Sequence, residues 1–259
     1  MTETPLDTAH AAMTAAPGDD ALRLAYYGCL ADAPLVLHLS DVPDGNDVSP
    51  VLTEIDGLRF VLAFNGEERL ADYAGGAAAY AAVSGRALAE MLSGQDVGIA
   101  VDRGLAHEML LPPEAVAWLT QTLSRGPKSG QARPVALRPA PVLPDALERA
   151  IARKLDGAGT LAAGAWLALA EYSDGSDAAL IVFVGAAPHA ESGLATAISE
   201  ALTFSGIEGA VMDVTFAEAD DPLVARIARV GRELPLGRPA APEPPKPPGM
   251  DPDQPPKLR

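Results

Sequence analysis

The sequence predicts an α+β protein made of two small mixed α/β domains, the second of them ferredoxin-like. Three observations lead to this prediction. Amphipathic helical stretches and short strand-like runs follow one another along the chain. A proline-rich stretch with basic but no acidic residues interrupts them near the middle. The second half shows the order β-α-β-β-α-β plus a helix, which is typical of the split βαβ pattern.

The first domain is predicted to open with a helix and a strand, followed by a hairpin. Asp19 and Asp20 suit the N-terminus of a helix, and Pro34 marks the end of that helix. The next run, "PLVLHLS", alternates as a half-buried strand does. Asp56-Gly57 separates two further strand-like runs, which predicts a hairpin with a two-residue turn.

The second strand of this hairpin ends at a polar corner. Asn65-Gly66 interrupts the apolar run, and Glu67, Glu68 and Arg69 follow at once. No alternating run returns after the corner, so we predict a helix start rather than another hairpin. Asn65 suits an N-cap with Glu68 three residues later, as in a capping box, and both acids favour the helix dipole. Two interpretations stay open: these residues only shape the backbone, or they also bind a partner.

The remaining elements follow from the same patterns. In the first domain we predict a helix, two strands and a helix in "GRALAEMLSG", "VGIAVD", "AHEMLL" and "PPEAVAWLTQTL". In the second domain we predict, in order, a strand, a helix, two strands, a helix, a strand and a helix. They lie in "VALRPA", "PDALERAIARKLDG", "LAAGAWLALAEY", "AALIVFVGA", "SGLATAISEALTFSG", "GAVMDVTFAE" and "DDPLVARIARVG".

These elements divide the chain into five predicted segments. They are an N-terminal extension (1–18), a first domain (19–124), a basic linker (125–134), a second domain (135–237) and a proline-rich tail (238–259). Nine prolines follow Arg238. Such a composition cannot bury a core, so we expect the tail to be an extended spacer or, as the alternative, a ligand for an aromatic groove.

Charge limits the partners that we expect. The 259 residues include 19 Lys and Arg but 35 Asp and Glu, which gives a formal net charge of -16. Nucleic acid and anionic lipid both attract clustered Lys and Arg, so neither is an expected partner. The N-terminus carries no basic signal-peptide region, and the longest apolar run, Ala178 to Pro188, is shorter than the about 20 residues of a membrane span. We therefore expect a cytoplasmic protein.

The motifs of common catalytic and metal sites are missing from the sequence. The phosphate-binding loop, the dinucleotide fingerprint and the G-x-S-x-G nucleophile motif are all absent. His107-Glu108 begins a zinc motif, but Leu111 stands where the second histidine is needed. Cys29 is the only cysteine, which excludes an internal disulfide. We expect no enzyme: no catalytic residue, no metal ligand and no cofactor.

The order of elements along residues 19 to 123 resembles that of SseB N-terminal domains. The segment "RLAYYGCL" is similar to the helix pattern R-x-A-F/Y-Y-x-x-L of that family, which leads into an apolar strand. A later family strand ends in Phe, continues with Thr-Ser and then reads Glu-x-Leu. Phe64, Glu68 and Leu70 match this pattern, while an Asn-Gly pair replaces Thr-Ser.

The resemblance extends further along the chain. Gly98 and Gly104 fit a glycine-containing family loop, although Asp102-Arg103 replaces its Asn-Pro pair. Residues 135 to 236 look similar to SseB C-terminal domains. The resemblance implies no established catalytic residue, which agrees with the missing motifs.

Three hypotheses about function follow. We expect a non-enzymatic protein-binding or scaffold module with an unknown protein partner. The alternatives are a sensor of an amino acid or another small metabolite, and an enzyme that uses scattered groups such as Asp41, Asp102 or His107. The candidate binding residues lie at two corners that follow strand ends, where binding residues often occur. They are Phe64, Asn65, Glu67, Glu68, Arg69, Asp102 and Arg103.

Overall fold

A computed structural model describes residues 3–42, 48–127, 133–207 and 209–237. In these residues the helices are α1 (Pro5–Ala15), α2 (Asp20–Asp32), α3 (Glu67–Ala74), α4 (Gly85–Met91), α5 (Pro113–Leu123), α6 (Asp145–Leu155), α7 (Glu191–Phe204) and α8 (Pro222–Val230). The strands are β1 (Pro34–His38), β2 (Leu52–Ile55), β3 (Leu58–Phe64), β4 (Tyr80–Ser84), β5 (Gly98–Val101), β6 (Met109–Leu111), β7 (Ala136–Arg138), β8 (Gly164–Glu171), β9 (Asp177–Val184), β10 (Met212–Ala217) and β11 (Arg232–Leu234). The predicted α+β class with two small domains is confirmed.

The first domain is built on a mixed sheet with the order β4-β1-β3-β5-β6, and β2 pairs with the first half of β3. Asp56 and Gly57 have φ angles of 50° and 80° between β2 and β3, which confirms the predicted two-residue hairpin turn. β3 and β5 are parallel neighbours, while the other pairs in this sheet are antiparallel. The parallel pair is joined through α3, β4 and α4.

Helices cover both faces of this sheet. The predicted alternation of β1 places Leu35, Leu37 and Leu39 on the face that packs against residues of α1, α2, α4 and α5. On the opposite face, Phe64 packs with a buried cluster that includes Leu70 of α3. Since α3 is short and follows β3 directly, its position depends on how the corner between them is held.

The second domain has a sheet with the order β10-β9-β8-β11, and β7 also pairs with β8. The predicted order of elements is present, with β11 added at the end. The ferredoxin-like arrangement is not confirmed. A split βαβ unit inserts a strand between two parallel strands that a helix connects. Here β9 and β10 are parallel and joined by α7, yet they pair directly, and β7 pairs antiparallel with β8.

Among these α-helices and strands, three were not predicted from the sequence: α1, β4 and β11. The helix α1 falls in the segment that we treated as an extension, yet Leu6 and Asp7 are buried. The middle of the basic linker and the proline-rich tail lie outside the described residues, so their predictions stay open. Within the described part of the chain, no helix combines the length and the apolar character that crossing a membrane requires.

The two domains meet through α2 and α7. Phe204 of α7 belongs to the core of the first domain, and a Cβ added at Gly28 of α2 would lie only 2.8 Å from the Phe204 Cβ. Beside this contact, the buried Glu200 carboxylate accepts hydrogen bonds from Arg86 at 2.9 Å and from Lys154 at 2.6 Å. Asp32 contacts both cations as well. We call Asp32, Arg86, Lys154 and Glu200 the Glu200 cluster.

Candidate functional site

The two predicted corners meet at one edge of the first sheet. Asn65 follows β3 and Asp102 follows β5, and the carboxyl ends of neighbouring parallel strands lie side by side. Asp102 is fully buried and has a φ of 49°, in the left-handed region that few residues other than glycine adopt. Its N–H donates to the Ala63 carbonyl at 2.9 Å, which continues the pairing of β5 with β3 for one more residue. Non-glycine residues held in this rare backbone conformation are concentrated at functional sites.

Arg69 lies in the first turn of α3 and holds two carboxylates together. Its side chain is only 6% exposed. One guanidinium nitrogen, Nη1, donates to Asp102 Oδ2 at 2.5 Å, and the other, Nη2, donates to Asp7 Oδ2 at 2.6 Å. The guanidinium therefore ties α1, α3 and the end of β5 to each other through charge-assisted hydrogen bonds.

Asn65 completes this arrangement. Its backbone N–H donates to Asp102 Oδ1 at 2.9 Å, and its side-chain amide donates to Thr4 Oγ1 at 2.6 Å. Thr4 and Asp7 in turn form a capping box at the start of α1. The predicted capping box of Asn65 with Glu68 is wrong: Gly66 is the N-cap of α3, no side chain caps it, and the Asn65 amide is directed at α1. We call Asp7, Asn65, Arg69 and Asp102 the Arg69 cluster.

The surroundings move the pKa values of the two carboxyl groups in opposite directions. Burial alone would raise the pKa of Asp7, but hydrogen bonds from Arg69 and Thr4 outweigh it and lower the pKa to about 2. For Asp102, burial is the largest effect and raises the pKa, although Asn65 and Arg69 oppose it. Asp102 is thus the more readily protonated of the two carboxylates, because the effect of burial on it is not outweighed.

Imidazole and phenol groups border the cluster. His107 Nδ1 lies 3.7 Å from Asp7 Oδ1, and the rings of His107 and His10 pack edge to face with centroids 5.6 Å apart. The buried Tyr26 hydroxyl has no hydrogen-bond partner among the described residues, and burial raises the pKa of Tyr26. No group of three or more His, Cys, Asp or Glu side chains in the described ranges is placed to hold a metal ion.

The structure brings together only some of the predicted binding residues. Asn65, Arg69 and Asp102 meet in the Arg69 cluster. Phe64 is buried beneath them, with its ring 5.1 Å from that of Tyr73. The other three predicted residues point elsewhere: they are Glu67 and Glu68, which are exposed, and Arg103, which pairs with Glu108.

Sequence reasoning missed the residues that α1 contributes. Thr4 and Asp7 stand at the spacing of a capping box, with Pro5 at the first helical position, and that signal could have identified the helix. Nothing in the sequence indicates that Asp7 reaches Arg69, which lies 62 positions later. Asp41, proposed for the enzyme hypothesis, is exposed beside Ser40 and is not one of the cluster's hydrogen-bonding partners.

A second feature of the first domain is the outer edge of β4. Leu39 N–H donates to the Ala79 carbonyl, and Gly85 N–H donates to the Ala33 carbonyl. Backbone groups alternate in direction along a strand, so those of Tyr80 and Ala82 must point away from β1. No strand in the described residues pairs with this edge.

Acidic and aromatic side chains lie next to this edge. Tyr73 on α3 is 41% exposed, and Tyr80 on β4 is 38% exposed. Interaction with the Glu67 carboxylate raises the pKa of Tyr80, which places the first turn of α3 beside the start of β4. We call Glu67, Tyr73, Tyr80 and Ala82 the β4 edge surface.

Comparison with known proteins gives one match. A family model for the SseB protein N-terminal domain matches residues 9–118, which covers the Arg69 cluster except Asp7, and the whole β4 edge surface. No curated protein and no solved structure gave a significant match. The match includes most of α1, so the family domain starts earlier than the first domain that we predicted. Residues 9–118 of the chain are therefore assigned to the SseB protein N-terminal domain.

Proposed function

We propose that this protein is a non-enzymatic, cytoplasmic protein-binding module whose partner adds an extended strand to the outer edge of β4. The observation that supports this proposal is the outward-facing backbone of Tyr80 and Ala82, which no strand of the described residues pairs with, in a strand without any charged residue. Partner strands commonly dock on such an edge, where main-chain hydrogen bonds provide affinity and neighbouring side chains provide specificity.

The composition of β4 argues for a binding role. Proteins usually protect a sheet edge with lysines, prolines, bulges or a covering element, because an open edge pairs with other chains. The sequence of β4, "YAAVS", has none of these residues. Its inward side chains, Ala81 and Val83, pack against the core of the first domain, while Tyr80 and Ala82 remain exposed. An edge that is left unprotected in this way is suited to pairing with a strand of a binding partner.

The side chains next to β4 indicate the kind of partner. Glu67 and Glu68 in the first turn of α3, and Asp72 one turn later, are exposed on the element beside the edge. Tyr73 and Tyr80 add amphipathic rings of the kind that is enriched at protein interfaces. An extended segment with basic side chains would complement both the acids and the free backbone groups.

The Arg69 cluster supports this function from behind the surface. Arg69 belongs to the same helix as Glu67 and Tyr73, and its two hydrogen-bonded carboxylates fix the start of α3 relative to β5 and α1. The guanidinium of Arg69 donates to both carboxylates of the cluster, which supports a structural tie rather than a reactive centre. In this proposal it holds the acids and tyrosines of α3 at a constant distance from β4.

The proposal can be tested with two substitutions at one position. Ala82→Pro removes an outward N–H without removing a hydrogen bond to β1, whereas Ala82→Val keeps the N–H and adds similar bulk. Full-length wild type and both variants are used to capture proteins from lysate of the native host, and the captured proteins are quantified by mass spectrometry. We expect a set of proteins that is captured by wild type and Ala82→Val but is lost with Ala82→Pro. Equal capture by all three chains would contradict the proposal.

A second function is favoured by the way Asp7 is held. Arg69, the Asn65 amide and His107 surround its carboxylate as they would surround the carboxylate of a bound amino acid. A sensor of small carboxylates would use this cradle after displacing Asp7, and α1 would move with it. This hypothesis predicts that serine or another amino acid raises the melting temperature of the full chain. A panel of amino acids and metabolites that leaves the melting temperature unchanged would remove its support.

A further inference from the structure

The second domain has an open edge of its own at β10. This strand pairs with β9 on one side, and no strand in the described residues pairs with the other side. Its sequence, "MDVTFA", contains no lysine, arginine or proline that would protect the edge. The only charged side chain, Asp213, accepts a hydrogen bond from the Tyr172 hydroxyl at 2.6 Å. Met212, Val214 and Phe216 are only partly covered by their own domain.

The direction of the backbone groups in β10 can be derived from one hydrogen bond. Gly185 N–H donates to the Ala217 carbonyl at 2.9 Å, so the backbone of Ala217 faces β9. Because direction alternates along a strand, the backbone groups of Thr215 and Asp213 also face β9. Those of Met212, Val214 and Phe216 face outward.

This pattern is self-complementary. If a second β10 lies antiparallel with Val214 opposite Val214, then Met212 lies opposite Phe216 and every outward-facing backbone group finds a partner. On the other face of the strand, Asp213 lies opposite Thr215, whose hydroxyl can donate to the carboxylate. A register centred on Asp213 would place two carboxylates against each other, so charge favours the register centred on Val214.

We infer that two copies of this protein pair through β10 about a two-fold axis at Val214. The pairing joins the two five-stranded sheets into one continuous sheet and covers the partly exposed side chains of Met212, Val214 and Phe216. The β4 edge surfaces, which lie on the other domain, are left free. The dimer would therefore present two copies of the surface proposed above, although the inference does not depend on that function.

The first test is the mass of the full chain in solution. Light scattering coupled to size-exclusion chromatography should give twice the 26.6 kDa mass of one chain at high protein concentration. Each copy carries a net charge of -16, so added salt should raise the dimer fraction by screening the repulsion. A monomer at every concentration and salt level would overturn the inference.

The register is tested by cross-linking and by charge. Val214→Cys places two thiols opposite each other at about 5.5 Å between Cα atoms, within the range of a disulfide, whereas Thr215→Cys faces Asp213. Under mild oxidation we expect a covalent dimer from Val214→Cys and much less from Thr215→Cys. The wild type serves as control because its only cysteine, Cys29, is buried. Equal cross-linking of the two variants would contradict this register.

A pair of charge variants distinguishes a change in β10 pairing from a loss of folding. Thr215→Asp places a second carboxylate opposite Asp213 and should weaken dimerisation several-fold. Thr215→Lys places an ammonium there and should strengthen it by a similar factor. Loss of folding at this position would weaken both dimers, so opposite shifts support the inference. Shifts in the same direction would contradict it.

Discussion

The two charge clusters of the molecule have opposite compositions. In the Arg69 cluster one guanidinium is shared by two carboxylates, and all three side chains are at most 6% exposed. In the Glu200 cluster one carboxylate is shared by two cations, and a second acid, Asp32, balances the charge. The first cluster ties elements within one domain, whereas the second joins the two domains.

The clusters differ in whether a charged group that loses its partner can still contact solvent or another group of opposite charge. The Glu200 cluster reaches solvent, because the Arg86 and Asp32 side chains are 40% and 41% exposed. The Arg69 cluster carries two acids and one base and has no comparable exposure. Breaking a buried ion pair costs most when it leaves an uncompensated charge that water cannot reach. The clusters should therefore respond differently to the same kind of substitution.

Removal of the shared arginine should have the largest effect. Arg69→Met leaves Asp7 and Asp102 buried without their common partner, and we expect the free energy of unfolding to fall by about 3–5 kcal/mol. Urea denaturation followed by circular dichroism measures this change. A loss below about 1 kcal/mol would show that the cluster does not hold the corner together.

Removal of the shared acid should cost less. Glu200→Gln takes away the central charge, but Arg86 and Lys154 both keep Asp32 as a partner, and Arg86 and Asp32 remain in contact with solvent. We therefore expect a loss of about 1–3 kcal/mol. The same denaturation experiment gives the value. If Glu200→Gln destabilised the protein more than Arg69→Met does, the comparison between the clusters would be reversed.

The pH dependence of the free energy of unfolding should reveal the contribution of Asp7. The folded pKa of about 2 lies below the unfolded value, so ionised Asp7 contributes about 2 kcal/mol of stability above pH 4, which is lost as the pH falls from about 4 towards 2. The raised pKa of Asp102 acts in the opposite direction, because its stability contribution falls as the pH rises through the folded value.

The matching experiment compares wild type with Asp7→Asn. Unfolding free energies measured between pH 2 and pH 6 should show a shallower acid decline in the variant. The decline that remains should include Glu200, whose pKa is also lowered because hydrogen bonds from Arg86 and Lys154 outweigh the effect of burial. An unchanged acid decline in Asp7→Asn would contradict the role of the Asp7–Arg69 pair.

The smallest effect is expected at the packing contact beside the Glu200 cluster. Gly28→Ala would place a methyl group 2.8 Å from the Phe204 Cβ, so overpacking should outweigh the better helix propensity of alanine and cost about 1 kcal/mol. Gly193→Ala in α7 is the control, because nothing lies within 4 Å of its added Cβ. Thermal unfolding should show a lower melting temperature for Gly28→Ala only; equal melting temperatures would argue against close packing of α2 on α7.

The elements with strong local signals were predicted well from the sequence. Asp19 caps α2, and Asp56-Gly57 forms the hairpin turn. Each of these signals acts over a few residues. The strands β4 and β11 escaped prediction because "YAAVS" lacks a large apolar alternation and "REL" is too short to show any period.

The candidate site could be predicted only in part, for a different physical reason. Asn65, Arg69 and Asp102 were selected because they follow strand ends, and two parallel strands bring them together. The burial of Arg69 depends on Asp7, and that pairing spans 62 positions in the sequence. Asn65 likewise suits a local cap, but its side-chain amide donates instead to the hydroxyl of Thr4, the N-cap of α1. Local patterns carry no information about such contacts.

We propose that the Arg69 cluster stabilises the fold, whereas β4 binds the partner. A comparison of Asp7→Asn with Ala82→Pro tests this division most directly. Unfolding free energy and partner capture are measured for both variants under conditions in which both are folded. We predict that Asp7→Asn loses stability but keeps its captured proteins, because the hydrogen bond from Arg69 to Asp102 still holds the start of α3. Ala82→Pro should keep its stability and lose those proteins. A folded Asp7→Asn protein that no longer captures them, together with an Ala82→Pro protein that still does, would contradict the account.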